Sequence, residues 1–163
     1  MKILLKTVVA ASVLLIVGCA TYSEPKSGAV AQLKLVAFRN NVVPFVNIHP
    51  NGMCSPRLGY GGIGTEEQLN KGMNELTTNL LIQANQKHSV SFHALAPDGK
   101  ASNCDVAVSF TPTPNAVYEL KYFFDFEEEQ CVVSGSEIIE VDGDISKQRI
   151  QGIEKEESAI CFL

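Results

Sequence analysis

The sequence predicts a mainly β protein, a single antiparallel β-sandwich of seven or eight short strands with one short helix. Three observations predict it. Alternating apolar and polar residues recur along the chain, the pattern of strands with one buried face. Turn chemistry separates these stretches at short intervals, as at Asn40-Asn41, Pro50-Asn51-Gly52, Pro97-Asp98-Gly99 and Asp142-Gly143. Only one segment carries helical spacing.

Gln32 to Phe38 alternates and forms the first strand. Val42 to His49 is the second, and Pro44 within it argues for an edge position or a bulge, because proline cannot donate to a ladder. Ser55 to Gly64 is glycine-rich and reads as a mobile loop, with Arg57 and Tyr60 as residues for a partner contact. Gly59, Gly61 and Gly64 match a dinucleotide fingerprint in spacing only, since no buried strand runs into the first glycine. Thr65-Glu66-Glu67-Gln68 has the form of a capping box. Leu69, Met73 and Leu76 then follow at helical spacing, so a short amphipathic helix over 66–76 is expected, its stripe turned to the core. Gly72 weakens it.

Thr78 to Ile82 and His88 to Leu95 are strands. In the latter, Val90, Phe92 and Ala94 face one way and Ser89, Ser91 and His93 the other. Asp105 to Phe110 returns as its hairpin partner, with Val106, Val108 and Phe110 inward. Thr111 to Asn115 holds Pro112 and Pro114, suiting it to a crossing between sheets. Ala116 to Phe126 is the longest strand, with Tyr118, Leu120, Tyr122, Phe124 and Phe126 on one face. Glu127-Glu128-Glu129 turns the chain, Gln130 to Val141 comes back, and Asp142-Gly143 closes it. The apolar end, Ala159 to Leu163, is expected to be pinned to the sheet through Cys161. Such spacing suits an immunoglobulin-like or transthyretin-like sandwich. The absence of Trp argues against an antibody-type core.

The first 19 residues follow a different plan. Lys2 and Lys6 precede the apolar run Thr7 to Val17, which is short for a permanent membrane helix. Ile16-Val17-Gly18-Cys19 closes it. This resembles the lipobox of bacterial lipoproteins. The resemblance implies a diacylglycerol (palmitate-type chains) on the Cys19 thiol, cleavage before Cys19 and acylation of the new amine. Two or three chains make a stable anchor. Ala20, rather than Asp, follows the cysteine and implies an outer-membrane destination. The expected organisation is a signal peptide over 1–18, a lipidated Cys19 with a flexible tether over 19–30, and a β-sandwich domain over 31–163. Cys104, Phe110-Thr111-Pro112, Tyr118 to Tyr122 and Cys131 also resemble, loosely, a pattern in bacterial lipoproteins with a β-sandwich domain.

The formal charge is −5, and −7 once Lys2 and Lys6 are set aside. An acidic chain without a basic run has no footprint for nucleic acid. It is also a poor match for anionic headgroups, so attachment is expected through covalent lipid. Setting Cys19 aside leaves Cys54, Cys104, Cys131 and Cys161, an even set that suits two disulfides in an oxidising compartment. Three connectivities are open, and Cys54–Cys104 with Cys131–Cys161 is preferred. The four cysteines lack the close pairs of a structural zinc site.

His49, His88 and His93 do not form a metal-binding pair. His88 and His93, five apart on one strand, face opposite sides, and all three read as surface or strand-end residues. The acidic runs at 127–129 and 142–144 lack calcium-loop spacing. No serine lies in a G-x-S-x-G or S-x-x-K motif. No metal, cofactor or catalytic set is therefore expected. The expectation is a non-enzymatic binding or scaffold module on the membrane through its lipid, facing the periplasm and other envelope proteins. A tethered small-ligand-binding protein is the alternative.

Overall fold

The computed structural model describes residues 22–38, 43–52, 58–95, 104–125 and 130–156. Among these residues the chain forms β1 (Val30–Phe38), β2 (Val43–Pro50), β3 (Leu58–Gly62), α1 (Glu66–Asn70), β4 (Glu75–Gln83), β5 (His88–Leu95), β6 (Val106–Phe110), β7 (Val117–Asp125), β8 (Gln130–Val141), β9 (Asp144–Arg149) and β10 (Glu154–Glu156). They make two five-stranded sheets, in the orders β4-β1-β7-β8-β9 and β10-β6-β5-β2-β3. The β-sandwich expected from alternation is therefore present, with ten strands rather than seven or eight. It is not wholly antiparallel, because β1 pairs with β7 in parallel.

Alternation sets which side of each strand is buried. Leu33, Leu35 and Ala37 of β1, Leu76, Leu80 and Ile82 of β4, Val90, Phe92 and Ala94 of β5, and Tyr118, Leu120, Tyr122 and Phe124 of β7 fill one core between the sheets. Aromatic rings lock the layers together. Phe92 of one sheet stacks on Tyr122 of the other at 5.3 Å, and Phe110 meets Tyr118 at 5.1 Å. The tyrosine hydroxyls reach polar partners at the rim. That of Tyr122 donates to the Cys104 carbonyl, and that of Tyr118 accepts from the Thr113 backbone N–H.

Several expectations need correction. The Pro44 strand is not an edge: β2 lies between β5 and β3. Pro44 is tolerated because it sits one residue into the strand, past the ladder with β3, which begins at Phe45↔Gly62. A register irregularity does occur in that strand, between Val46 and Asn47. The glycine-rich stretch is not a loop throughout, since 58–62 forms the edge strand β3 and carries Tyr60. Glycine does not stop the backbone from pairing; it only removes the side-chain signal that marks a strand.

The capping box is present, with Thr65 Oγ1 accepting from the Gln68 N–H and Gln68 Oε1 accepting from the Thr65 N–H. The helix nevertheless spans only Glu66–Asn70, and the chain turns at Gly72 with φ +63°. Leu69 and Met73 are consequently exposed, while Leu76 reaches the core from β4. The stripe is not a core face of one helix.

The described part of the expected tether is docked on the domain. The Tyr22 hydroxyl donates to the Leu81 carbonyl (2.7 Å), Leu81 N–H donates to Glu24 Oε1 (2.9 Å), and Ala84 N–H donates to the Ala29 carbonyl (2.8 Å). The two bonds at Leu81 satisfy part of the outer edge of β4, which would otherwise offer unpaired backbone groups there, and the Ala84–Ala29 bond extends the ladder between β4 and β1 by one step.

The preferred disulfide pairing is also overturned. Cys104 is bonded to Cys131, with Cα atoms 5.6 Å apart. The prolines at 112 and 114 carry the chain from β6 to the other sheet. β7 then runs back, so the start of β8 returns to the end of the sandwich where β6 began. The bridge thus joins the two sheets, and pairing cysteines by nearness in sequence missed that return. Cys54 and Cys161 lie outside the described residues.

Candidate functional site

The outward face of β5 carries Ser89, Ser91 and His93, as its alternation requires. β2 sets His49 opposite Ser89 and Asn47 opposite Ser91, and β6 sets Ser109 and Ala107 against the same two serines. Ser91 Oγ lies 3.2 Å from His93 Nε2 and 3.5 Å from His49 Nε2. His93 Nδ1 lies 2.8 Å from Asp105 Oδ1. An ionised carboxylate only accepts, so Nδ1 carries the proton. In the neutral ring, Nε2 is then free to accept from the Ser91 hydroxyl.

This order of carboxylate, imidazole and hydroxyl is that of a nucleophilic triad. Two features weigh against attack by Ser91. It is only 4% exposed. It also lies on a strand paired on both sides, so the neighbouring N–H groups belong to ladders and are not gathered to receive an oxyanion. The arrangement is suited to fixing the orientation of the His93 ring, which lies with Asp105 in solvent reach (35% and 50% exposed) above the buried Ser91 and His49.

The same face is closed by charged contacts. Ser89 Oγ donates to Glu156 Oε1 (3.3 Å), and Lys87 Nζ pairs with Glu154 (3.2 Å) and Glu156 (3.3 Å), which fastens β10. On the inner side, buried His88 donates from Nε2 to the Gln83 carbonyl at 2.7 Å. Its Nδ1 makes no hydrogen bond among the described residues. Burial lowers the His88 pKa, and the Gln83 carbonyl only partly opposes this.

A second constellation lies on the outward face of the other sheet. Glu119 of β7 sits between Lys34 of β1 and Ser136 of β8. Its carboxylate receives Lys147 Nζ at 2.6 Å and Lys34 Nζ at 3.1 Å, with Lys121 Nζ at 3.6 Å. The Glu119 side chain is 3% exposed and the lysines 35–45%. It is covered by lysine side chains rather than by core. Burial pushes its carboxyl up, but hydrogen bonds from Lys147 and Lys34 and the charge of Lys121 outweigh that and lower its pKa.

Of the residues singled out in the sequence, Cys104 and Cys131 are brought together, and Tyr60 lies in β3 rather than on a loop. Cys19, Cys54, Arg57 and Cys161 lie outside the described residues, as do the acids at 127–129. His88 and His93 face opposite sides, as expected, and His88 and His49 lie at strand ends, as the reading allowed, but both are buried rather than at the surface. Among the described residues no group of three or more His, Cys, Asp or Glu side chains is placed to hold a metal ion.

Sequence reasoning missed the chain of contacts from Ser91 to His93 and from His93 to Asp105. The signal was available, because extending the hairpin register one step past Phe92↔Val106 sets Asp105 opposite His93. The Glu119 cluster gave no such signal, since Lys34 and Lys147 come from distant parts of the chain. Comparison with known protein families and with curated proteins found no matching family model and no matching protein.

Proposed function

We propose that the chain is a lipid-anchored lipoprotein of the cell envelope, held through Cys19 in the outer membrane and facing the periplasm. It acts there as a non-enzymatic binding or scaffold module. The observation that carries the address is the Ile16-Val17-Gly18-Cys19 motif behind a short apolar run. The Cys104–Cys131 bridge supports the same compartment, because such bonds persist where thiols are oxidised. The binding role is supported by β9, an exposed strand that among the described residues pairs on one side only, with β8. A strand with one unpaired edge can receive another by β-augmentation. This replaces the Pro44 strand as the edge to consider.

The test is capture after crosslinking in intact cells, with the Cys19→Ser chain as control, and the mass of the N-terminal peptide measured in parallel. The expected result is a lipid mass on Cys19 and a recurrent partner whose crosslinks map to β9 and vanish with the anchor. An unmodified Cys19 would remove the address, and crosslinks that avoid β9 would remove the edge.

The Ser91–His93–Asp105 geometry favours one second reading, a serine hydrolase. A fluorophosphonate probe separates the two. The binding-module reading expects no adduct on Ser91 in the folded protein, whereas stoichiometric labelling abolished by His93→Ala would replace it with the hydrolase.

A further inference from the structure

The chain enters the domain along one edge of a sheet whose other edge is β9. In the order β4-β1-β7-β8-β9, the strands β4 and β9 are four spacings apart, roughly 19 Å. The residues before β1 do not lead straight away from that strand. The Ala29 carbonyl continues the ladder with β4, accepting from Ala84 N–H and also from Gln83 Nε2. The backbone turns at Gly28, with φ +91°, and the preceding residues pass to the outer edge of β4.

Two bonds hold them there, both at Leu81. The Glu24 carboxylate accepts from its N–H at 2.9 Å, and the Tyr22 hydroxyl donates to its carbonyl at 2.7 Å. These are the two groups that an added strand would use. Tyr22 also packs against the core, whereas residues 26–29 are exposed. The segment is thus fastened at Tyr22 and Glu24 and again at Ala29, with an exposed turn between.

We propose that residues 22–29 are a latch that keeps β4 beside the bilayer and presents β9 away from it. The orientation rests on lipid attachment at Cys19; the latch does not. With Tyr22 docked, the chain from Cys19 spans about 10 Å at full extension. β4 stays within that distance of the surface, and β9 stands off by up to the width of the sheet. An acidic chain gains nothing by lying flat on an anionic surface, so the far edge is driven outward. Undocked as far as Ala29, the same chain spans about 35 Å. That exceeds the width of the sheet, and either edge can then meet the surface. The latch decides whether β9, the edge offered for strand addition, faces the aqueous side.

The test has two readouts, both on the full chain purified from cells. Leu81 N–H points to the latch, so by alternation the flanking Leu80 and Ile82 N–H groups point to β1. Hydrogen exchange at Leu81 therefore reports latch opening. Tyr22→Phe keeps the ring and the Glu24 acceptor and loses the hydroxyl bond. It is expected to speed Leu81 exchange about fivefold, with Leu80 and Ile82 unchanged. The second readout maps adducts after reconstitution into phosphatidylcholine vesicles carrying phosphatidylethanolamine with a photoreactive headgroup. Adducts are expected in 75–83 and not in 144–149. Tyr22→Phe with Glu24→Ala is expected to spread them to both.

Leu81 exchange that ignores Tyr22→Phe, or that quickens together with Leu80 and Ile82, would overturn the latch. Adducts as frequent in 144–149 as in 75–83 of the unsubstituted chain would overturn the orientation. The latch and the anchor fail separately. A lipid-free Cys19, with Leu81 protection that depends on Tyr22, removes the anchor and the orientation and keeps the latch. A lipidated Cys19 with unselective adducts keeps the anchor and removes the orientation.

Discussion

Glu119 sits where the alternation of β7 puts it, on the outward side of the sheet, and is covered all the same. Its stabilisation depends on ionisation. Its folded pKa is lowered, so the denatured chain takes up a proton first as pH falls. The contribution is complete above the unfolded value of about 4.3 and is lost as pH drops through the lower folded value. Glu119→Gln is expected to cost about 1–2 kcal/mol at neutral pH, reduced from a fully buried pair by the exposure of the lysines. It should also flatten the acid limb of stability, as read by urea denaturation across pH. His88 works in the other direction of charge. Its folded pKa is lowered by burial, so below the unfolded value of about 6.5 the denatured state binds a proton that the folded state refuses. Stability should fall as pH drops below that value. His88→Gln keeps a donor for the Gln83 carbonyl and should remove this dependence when denaturation at about pH 7.5 and about pH 5.5 is compared; an unchanged slope would clear His88.

The elements differ in how plainly they were written in the chain. β5 was legible because its alternation is regular, and β7 and β8 because each is a long β-prone run bounded by turn residues. β3 was not, because Leu58–Gly62 is three-fifths glycine and carries little pattern. The helix was legible at its start, where the cap is a local hydrogen-bond pair, and misread at its end. There, spacing continued past a glycine that the backbone uses at positive φ. β8 and β9 meet through Asp142 and Gly143, both at positive φ, which is the two-residue turn that matches strand twist. The least forgiving position in β8 is Gly135, which faces the core opposite Leu120. A Cβ there would lie 2.5 Å from Ile153 Cδ1, 2.9 Å from Ile150 Cδ1 and 3.1 Å from Leu120 Cδ2. Gly135→Ala is expected to destabilise by about 1–3 kcal/mol through overpacking. A melting temperature equal to that of the unsubstituted chain would show that the isoleucines move aside freely.

At the scale of the molecule, the two sheets are joined by core contacts and, among the described residues, by one covalent bridge, Cys104–Cys131. It closes a separation of 27 residues. Replacing both cysteines with alanine is expected to cost roughly 2–4 kcal/mol. A non-reduced peptide map should link the Cys104 and Cys131 peptides and so leave Cys54 and Cys161 to each other. A Cys54–Cys104 peptide would refute it.

The sequence by itself determined the fold class, the inward residues of most strands, the crossing at Thr111–Asn115 and the cap at Thr65. All of these follow from periods and turn chemistry a few residues long. The tertiary structure alone decided the parallel pairing of β1 with β7, the interior place of β2, the bridge between the sheets, and the gathering of Lys34, Lys121 and Lys147 around Glu119. Those depend on which strands become neighbours. That choice is made by closure of a shared core, and local propensity does not encode it.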